Sequence, residues 1–325
     1  MKPIYTIVAI LFLSCQSNNH DELPGQIEFG VSVANHPNYS RAAAHTGINY
    51  IGTFQVYGEY RDATADDCFN GSTATINAVG DVTFNESWAA QRGTANKNEI
   101  RFFALAPAAS ATLLANQLGS GTCAVSNYTI PPGAGDQVDL MFAQNPNYYY
   151  NERVPLNFEH VLSRISFEAR KNETLADDEV KITKITIRGA IQTRSGTLQM
   201  GTPYSWTTAT GTRDFNITFP ESHQTTLTTT YQELTCDGET HATDGTSNLF
   251  LFPHSNAELA NVTLLIDLTV GEIAETRTIA LADINEHSWP IGKWITYQVS
   301  VDRGAVNVLA SVSAWEEQNM NHELQ

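Results

Sequence analysis

Basic residues are scarce in this chain: 18 Lys and Arg stand against 35 Asp and Glu, a formal charge of -17. No local Lys/Arg cluster offsets that balance, so a phosphate backbone would be repelled and nucleic acid is excluded as a partner. Cysteine is sparser still, with Cys15, Cys68, Cys123 and Cys236 too scattered for any CxxC or Cys/His ligand spacing. No metal centre is expected. The histidines, among them His36, His45, His160, His241, His254 and His287, are equally dispersed and, His160 apart, read as isolated surface or turn side chains. HExxH, GxSxG, phosphate-binding and EF-hand patterns are missing, and with them any nucleophile–base pair or cofactor site. The carboxylate pairs Asp66/Asp67 and Asp177/Asp178 fall in turn-like stretches, where Asp is favoured because it hydrogen-bonds its own backbone. No enzyme class is supported.

What is present is a chain of 325 residues, 42% hydrophobic and only 16% charged, with the Thr, Asn and aromatic usage of a secreted, strand-rich protein. A single core seldom extends much past about 200 residues, so two domains are expected. Long apolar runs are confined to the start. There, "IYTIVAILFLS" has the length of a signal-peptide core and is too short to span a bilayer. It ends on Ser14 before Cys15, in the manner of a bacterial lipoprotein signal, although Phe12 stands where Leu is usual. Residues 1–14 are therefore expected to be removed, Cys15 to be lipidated and residues 15–25 to form a tether. Its "QSNNHDE" resembles the acidic tethers of surface-exported Bacteroidetes lipoproteins. The alternative is an ordinary cleaved signal that takes Cys15 with it.

Beyond the tether, Ile27, Phe29, Val31 and Val33 alternate with Glu28, Gly30 and Ser32, the period of a half-buried strand. A polar linker around Arg41 follows. Further strand patterns occupy "YIGTFQVYGEY", "EIRFFALAP" and "QVDLMFAQ", whereas "ASATLLANQL" reads as a short helix. The Asn-, Pro- and Tyr-rich stretch "NPNYYYNERVP" suggests a boundary near residue 152, giving domains 26–152 and 153–325. In the second half, parity shifts at Thr183 and Lys184 in "EVKITKITIRGAI", as a bulge would produce. The expected class is all-β. Tyr148, Tyr149, Tyr150 and Trp206 could stack on sugars, but packing is the favoured reading.

"EIRFFALAP", "QVDLMFAQN", "VPLNFEHVLSRISFEAR", "VKITKITIRGA", "FLFPHS" and "NEHSWPIGKWITYQVSV" followed by "VSAWEEQ" together resemble the motifs of the Bacteroidetes fimbrillin family, the Mfa-like subunits of type V pili. The resemblance implies two transthyretin-like β-sandwich domains, export as a lipoprotein to the outer membrane and assembly with other subunits into adhesive fimbriae. It also implies that an Arg-directed protease cuts between Arg41 and Ala42 and frees the strand bearing Ile27, Phe29, Val31 and Val33. A terminal strand of a neighbouring subunit would take its place. Val306, Val308, Ala310, Val312 and Ala314 share one face near the C-terminus, which suits a donor strand. His160 continues the alternation of Leu156 and Phe158 and is read as a partly buried structural imidazole. The competing reading is a monomeric surface lipoprotein that binds a glycan or host protein, with residues 27–33 a permanent edge strand.

Overall fold

The computed structural model describes residues 25–33, 52–61, 69–77, 81–88, 99–108, 113–117, 121–236, 247–284 and 288–314. A first sheet has seven strands: β1 (Phe29–Val33), β2 (Thr53–Tyr60), β3 (Phe69–Ile76), β4 (Val82–Thr83), β5 (Ile100–Ala106), β8 (Met141–Tyr149) and β9 (Val154–His160). Their spatial order is β1-β9-β8-β5-β2-β3-β4. A second sheet contains β10 (Ser163–Lys171), β13 (Gln232–Glu233), β14 (Leu249–Leu251), β17 (Lys293–Asp302) and β18 (Ala305–Ala314). The third holds β6 (Leu113–Gln117), β7 (Thr122–Thr129), β11 (Val180–Gln199), β12 (Ser205–Thr218), β15 (Thr263–Val270) and β16 (Ile273–Ala280). The protein is all-β, as its alternating patterns indicate.

Strand β5 explains how the sheets are joined. Side chains alternate across a strand, so Phe102, Ala104 and Ala106 enter one apolar cluster while Phe103 and Leu105 enter another. The neighbouring strands do the same, with Phe54, Val56, Met141 and Ala143 on the first side and Tyr57 and Phe142 on the second. A sheet covered on both faces demands apolar residues at successive positions, and "FFALA" supplies them. The second cluster is completed by the other two sheets, through side chains such as Phe167, Ile295 and Tyr297 from one and Ile185, Ile187 and Ile266 from the other.

The chain does turn at residues 150–153, but that turn joins two strands of one sheet. Strand β9 pairs antiparallel with β8, Met141 opposite His160, so residues 154–160 complete the first sheet. Conversely, β6 and β7 pair with each other and, through β7, with β11 in the third sheet. The sheets thus exchange strands across residue 152. The expected helix in "ASATLLANQL" is corrected: Leu113–Gln117 is strand β6. Ten residues make a marginal helix in isolation, and the ladder offered by β7 overrides their propensity. The expected bulge is present as a register shift between Ile182 and Lys184 against β15.

Candidate functional site

Strand β1 lies at one end of the first sheet and runs parallel to β9, Phe29 opposite Val154 through to Val33 opposite Phe158. Ahead of it, residues 25–27 pair with the segment after β4: Ile27 N–H donates to the Glu86 carbonyl at 3.0 Å, and Trp88 N–H to that of Gly25 at 3.1 Å. The first strand thereby touches both ends of its sheet. Ile27, Phe29 and Val33 are buried as their alternation predicts, and Val31 is half-buried against the same cluster. Phe29 sits deepest in aromatic surroundings, meeting Phe54, Phe84 and Phe102 edge-on at centroid distances of 6.0, 5.1 and 5.4 Å. Edge-to-face rings gain from opposed quadrupoles beyond simple burial. Toward the outside, the Ser32 hydroxyl donates to Asn157 Oδ1 at 3.0 Å, and Arg153 lies across Gly30.

Strands β1 and β18 differ in how firmly they are packed. Strand β18 closes the second sheet and, among the described residues, pairs with β17 alone, antiparallel from Lys293–Ala314 to Asp302–Ala305. Its turn uses Gly304 at φ +80°, a region open to glycine without a side-chain clash. Asp302 caps that turn by accepting from the Arg303 N–H at 2.7 Å and from the Thr174 hydroxyl, whose hydrogen bond leads the causes that lower its pKa. Val306, Val308 and Ala310 lean on the second cluster, whereas Val312 and Ala314 on the same face are exposed. Leu309, on the other face, is 56% exposed. Cys15, Arg41 and Ala42 lie outside the described residues.

His160 stands where the chain leaves the first sheet for the second. Its Nδ1 is 2.8 Å from Oδ2 of Asp139, which precedes β8, and both side chains are only 8% exposed. The imidazole is therefore held within the packed structure. Leu156 and Phe158 face the first cluster and Leu162 the second, because the strand ends at His160 and the chain crosses over. Asp139 carries no sequence signal of this contact, since nothing in its spacing points to a histidine 21 places away.

His254 corrects the surface-histidine expectation. It is 2% exposed, packs against Trp289 and is locked by two backbone groups. Phe252 supplies a carbonyl 2.7 Å from Nδ1, which must donate, and Nε2 accepts from the Ile191 N–H at 3.1 Å. Burial first, and Arg194 secondarily, push its pKa down from 6.5 to about 4, against the opposing pull of the Phe252 carbonyl. Asp177 and Asp178 occupy a turn, as expected, while Asp66 and Asp67 fall outside the described residues. Cys123 is a buried free thiol and Cys236 is partly buried; Cys68 is outside the described residues.

The aromatic side chains considered for sugar stacking are engaged in packing. Tyr148 is covered by the guanidinium groups of Arg61 and Arg101, Tyr150 meets Trp88, and Trp206 contacts Tyr128, Tyr204 and Phe252. Among the described residues no group of three or more His, Cys, Asp or Glu is placed to hold a metal. Strand β1, at one end of the first sheet, lies in an apolar groove lined by the first cluster.

Comparison with known proteins agrees with this architecture. The model of the family described as fimbrillin-like matches residues 40–315. No curated protein matches the sequence. Among solved structures, a fimbrial protein from Bacteroides vulgatus aligns with TM-score 0.52 and 15% identity, covering 89% of this chain and 99% of that one. A candidate cell adhesion protein from Bacteroides ovatus aligns with TM-score 0.54 and 16% identity, over 91% and 99% of the respective chains. One from Bacteroides uniformis gives 0.50 and 14%, over 81% and 91%. At such identities the likeness speaks for the fold.

Proposed function

The chain belongs to the fimbrillin-like family, a family of fimbrial structural and adhesion proteins and not of enzymes, and from that premise we propose that it is a subunit of a bacterial surface fimbria joined to its neighbours by strand exchange. In this reading residues 1–14 direct export, Cys15 carries a lipid to the outer membrane, and cutting between Arg41 and Ala42 detaches β1. The groove is then filled by a strand from another subunit. The strand bearing Val306, Val308, Ala310, Val312 and Ala314 is offered in turn to a neighbour.

The observation that carries the reading is the place of β1. It occupies the end of its sheet, so its loss leaves β9-β8-β5-β2-β3-β4 as a continuous ladder. What its departure opens is costly. The Val154 N–H loses the Glu28 carbonyl, 2.8 Å away, and apolar side chains in the first cluster meet water. Four apolar side chains of this kind represent roughly 6–12 kcal/mol of gross burial, before the entropy of ordering a replacement strand is subtracted. An open edge with that much to gain is a template for another strand.

The test is to treat the folded chain with an Arg-specific protease and follow its backbone amides by hydrogen exchange. Cutting at Arg41 followed by departure of β1 should expose the Val154–Phe158 amides selectively, and a strand added in trans should protect them again. A cut chain whose β9 amides stay protected while β1 remains bound under all non-denaturing conditions would contradict exchange.

A further inference from the structure

We infer that the groove of β1 is built for a partner strand carrying an aromatic side chain at the Phe29 position, and therefore for a strand other than the C-terminal strand of a second copy. The inference rests on the strand-exchange reading above and names the occupant of that same groove.

The geometry around Phe29 sets the requirement. Three rings approach it edge-on, at interplanar angles of 74°, 62° and 86°, and leave it 2% exposed. One of those rings, Phe102, is itself braced by Trp88 at 6.1 Å. Such a cage closes poorly around a smaller side chain, because its walls belong to several strands and a packed interior relaxes only in part. The occupant must also be apolar at the positions of Ile27 and Val33, which are buried to a similar degree.

The C-terminal strand of this chain does not meet that requirement in any register. With its apolar face inward, β18 can place only Val306, Val308, Ala310, Val312 or Ala314 at the Phe29 position, so the cage is underfilled. Turning it over brings Leu309 to the position, but its neighbours two places away are then Asn307 and Ser311, polar in both strand directions. Trp315, the next aromatic in sequence, is flanked at the same spacing by Ser313 and Glu317. Both of these placements put polar or charged side chains where Ile27 and Val31 now sit, and at Ile27, 2% exposed, that side chain would be buried against the apolar cluster. A mixed fimbria follows: this subunit gives β18 to one kind of neighbour and receives a strand of different composition from another.

The full chain with a specific-protease site inserted after Arg41 would be cut in its folded state. Peptides would then compete against a labelled peptide of residues 26–34. The peptide of residues 26–34 should bind, and its Phe29→Ala form should bind on the order of 100-fold more weakly. A peptide of residues 304–315 should be at least as weak, and Val308→Phe within it should recover roughly tenfold or more. Equal affinity of the 304–315 and 26–34 peptides would overturn the inference while leaving strand exchange intact. Failure of every peptide, the 26–34 peptide included, would remove strand exchange and the inference together.

Discussion

The ring of Phe29 meets the ring of Phe102 edge-on at 5.4 Å, and this contact ties a terminal strand to β5, which is buried on both faces. Phe29→Ala should therefore loosen β1 from the groove and lower stability by about 3 kcal/mol, within the range for large-to-small changes at packed aromatic sites. Denaturant unfolding measures the loss. Hydrogen exchange should locate it at the β1–β9 ladder, with the second and third sheets unchanged.

The His160–Asp139 contact supports the crossover between two sheets. Each single change removes this contact in a nearly closed site, so His160→Ala and Asp139→Ala should each cost roughly 1–3 kcal/mol. The double variant should cost less than the sum of the two. A strictly additive double-mutant cycle in denaturant unfolding would show that the contact contributes nothing of its own.

Acid should weaken the fold through His254. Its folded pKa, about 4, lies below the ordinary 6.5, so between these values the unfolded chain binds a proton that the folded chain does not. Stability from this residue is complete above about pH 6.5, falls as pH drops toward 4 and levels off beyond it, a total on the order of 3 kcal/mol at about 1.4 kcal/mol per unit. A His254→Gln variant should show a flatter dependence of unfolding midpoint on pH across that window. An unchanged slope would place the acid sensitivity elsewhere.

Gly196 is required by its neighbour. A Cβ there would collide with the Tyr204 hydroxyl oxygen, and Tyr204 is wedged between Phe142 and Trp206 at centroid distances of 5.3 and 5.1 Å. Gly196→Ala should cost at least about 1–3 kcal/mol by overpacking. The loss should shrink when the ring is truncated in Gly196→Ala/Tyr204→Leu, as measured by thermal or denaturant unfolding.

These sites differ in how far the sequence discloses them. Ile27, Phe29 and Val33 announce themselves because strand periodicity is local, and their burial follows from it. The parallel partner of that strand, beginning at Val154, lies more than a hundred residues away and has no local signal. Phe84 and Trp88 likewise join the cage only through the tertiary fold. At residue 152 the turn chemistry is real, but it marks a hairpin, since composition registers a reversal of the chain and not which sheet the returning strand enters. The burial of His254 has no local signal for a related reason: two backbone groups brought together by the fold, at Ile191 and Phe252, satisfy both ring nitrogens of the imidazole.

The central claim concerns the first strand, and the most direct measurement is the N-terminal sequence of this chain recovered from assembled surface fimbriae. The account predicts a chain beginning at Ala42, with residues 27–33 absent from the assembled material. A chain that still begins at Cys15 and retains those residues in every assembled subunit would contradict it.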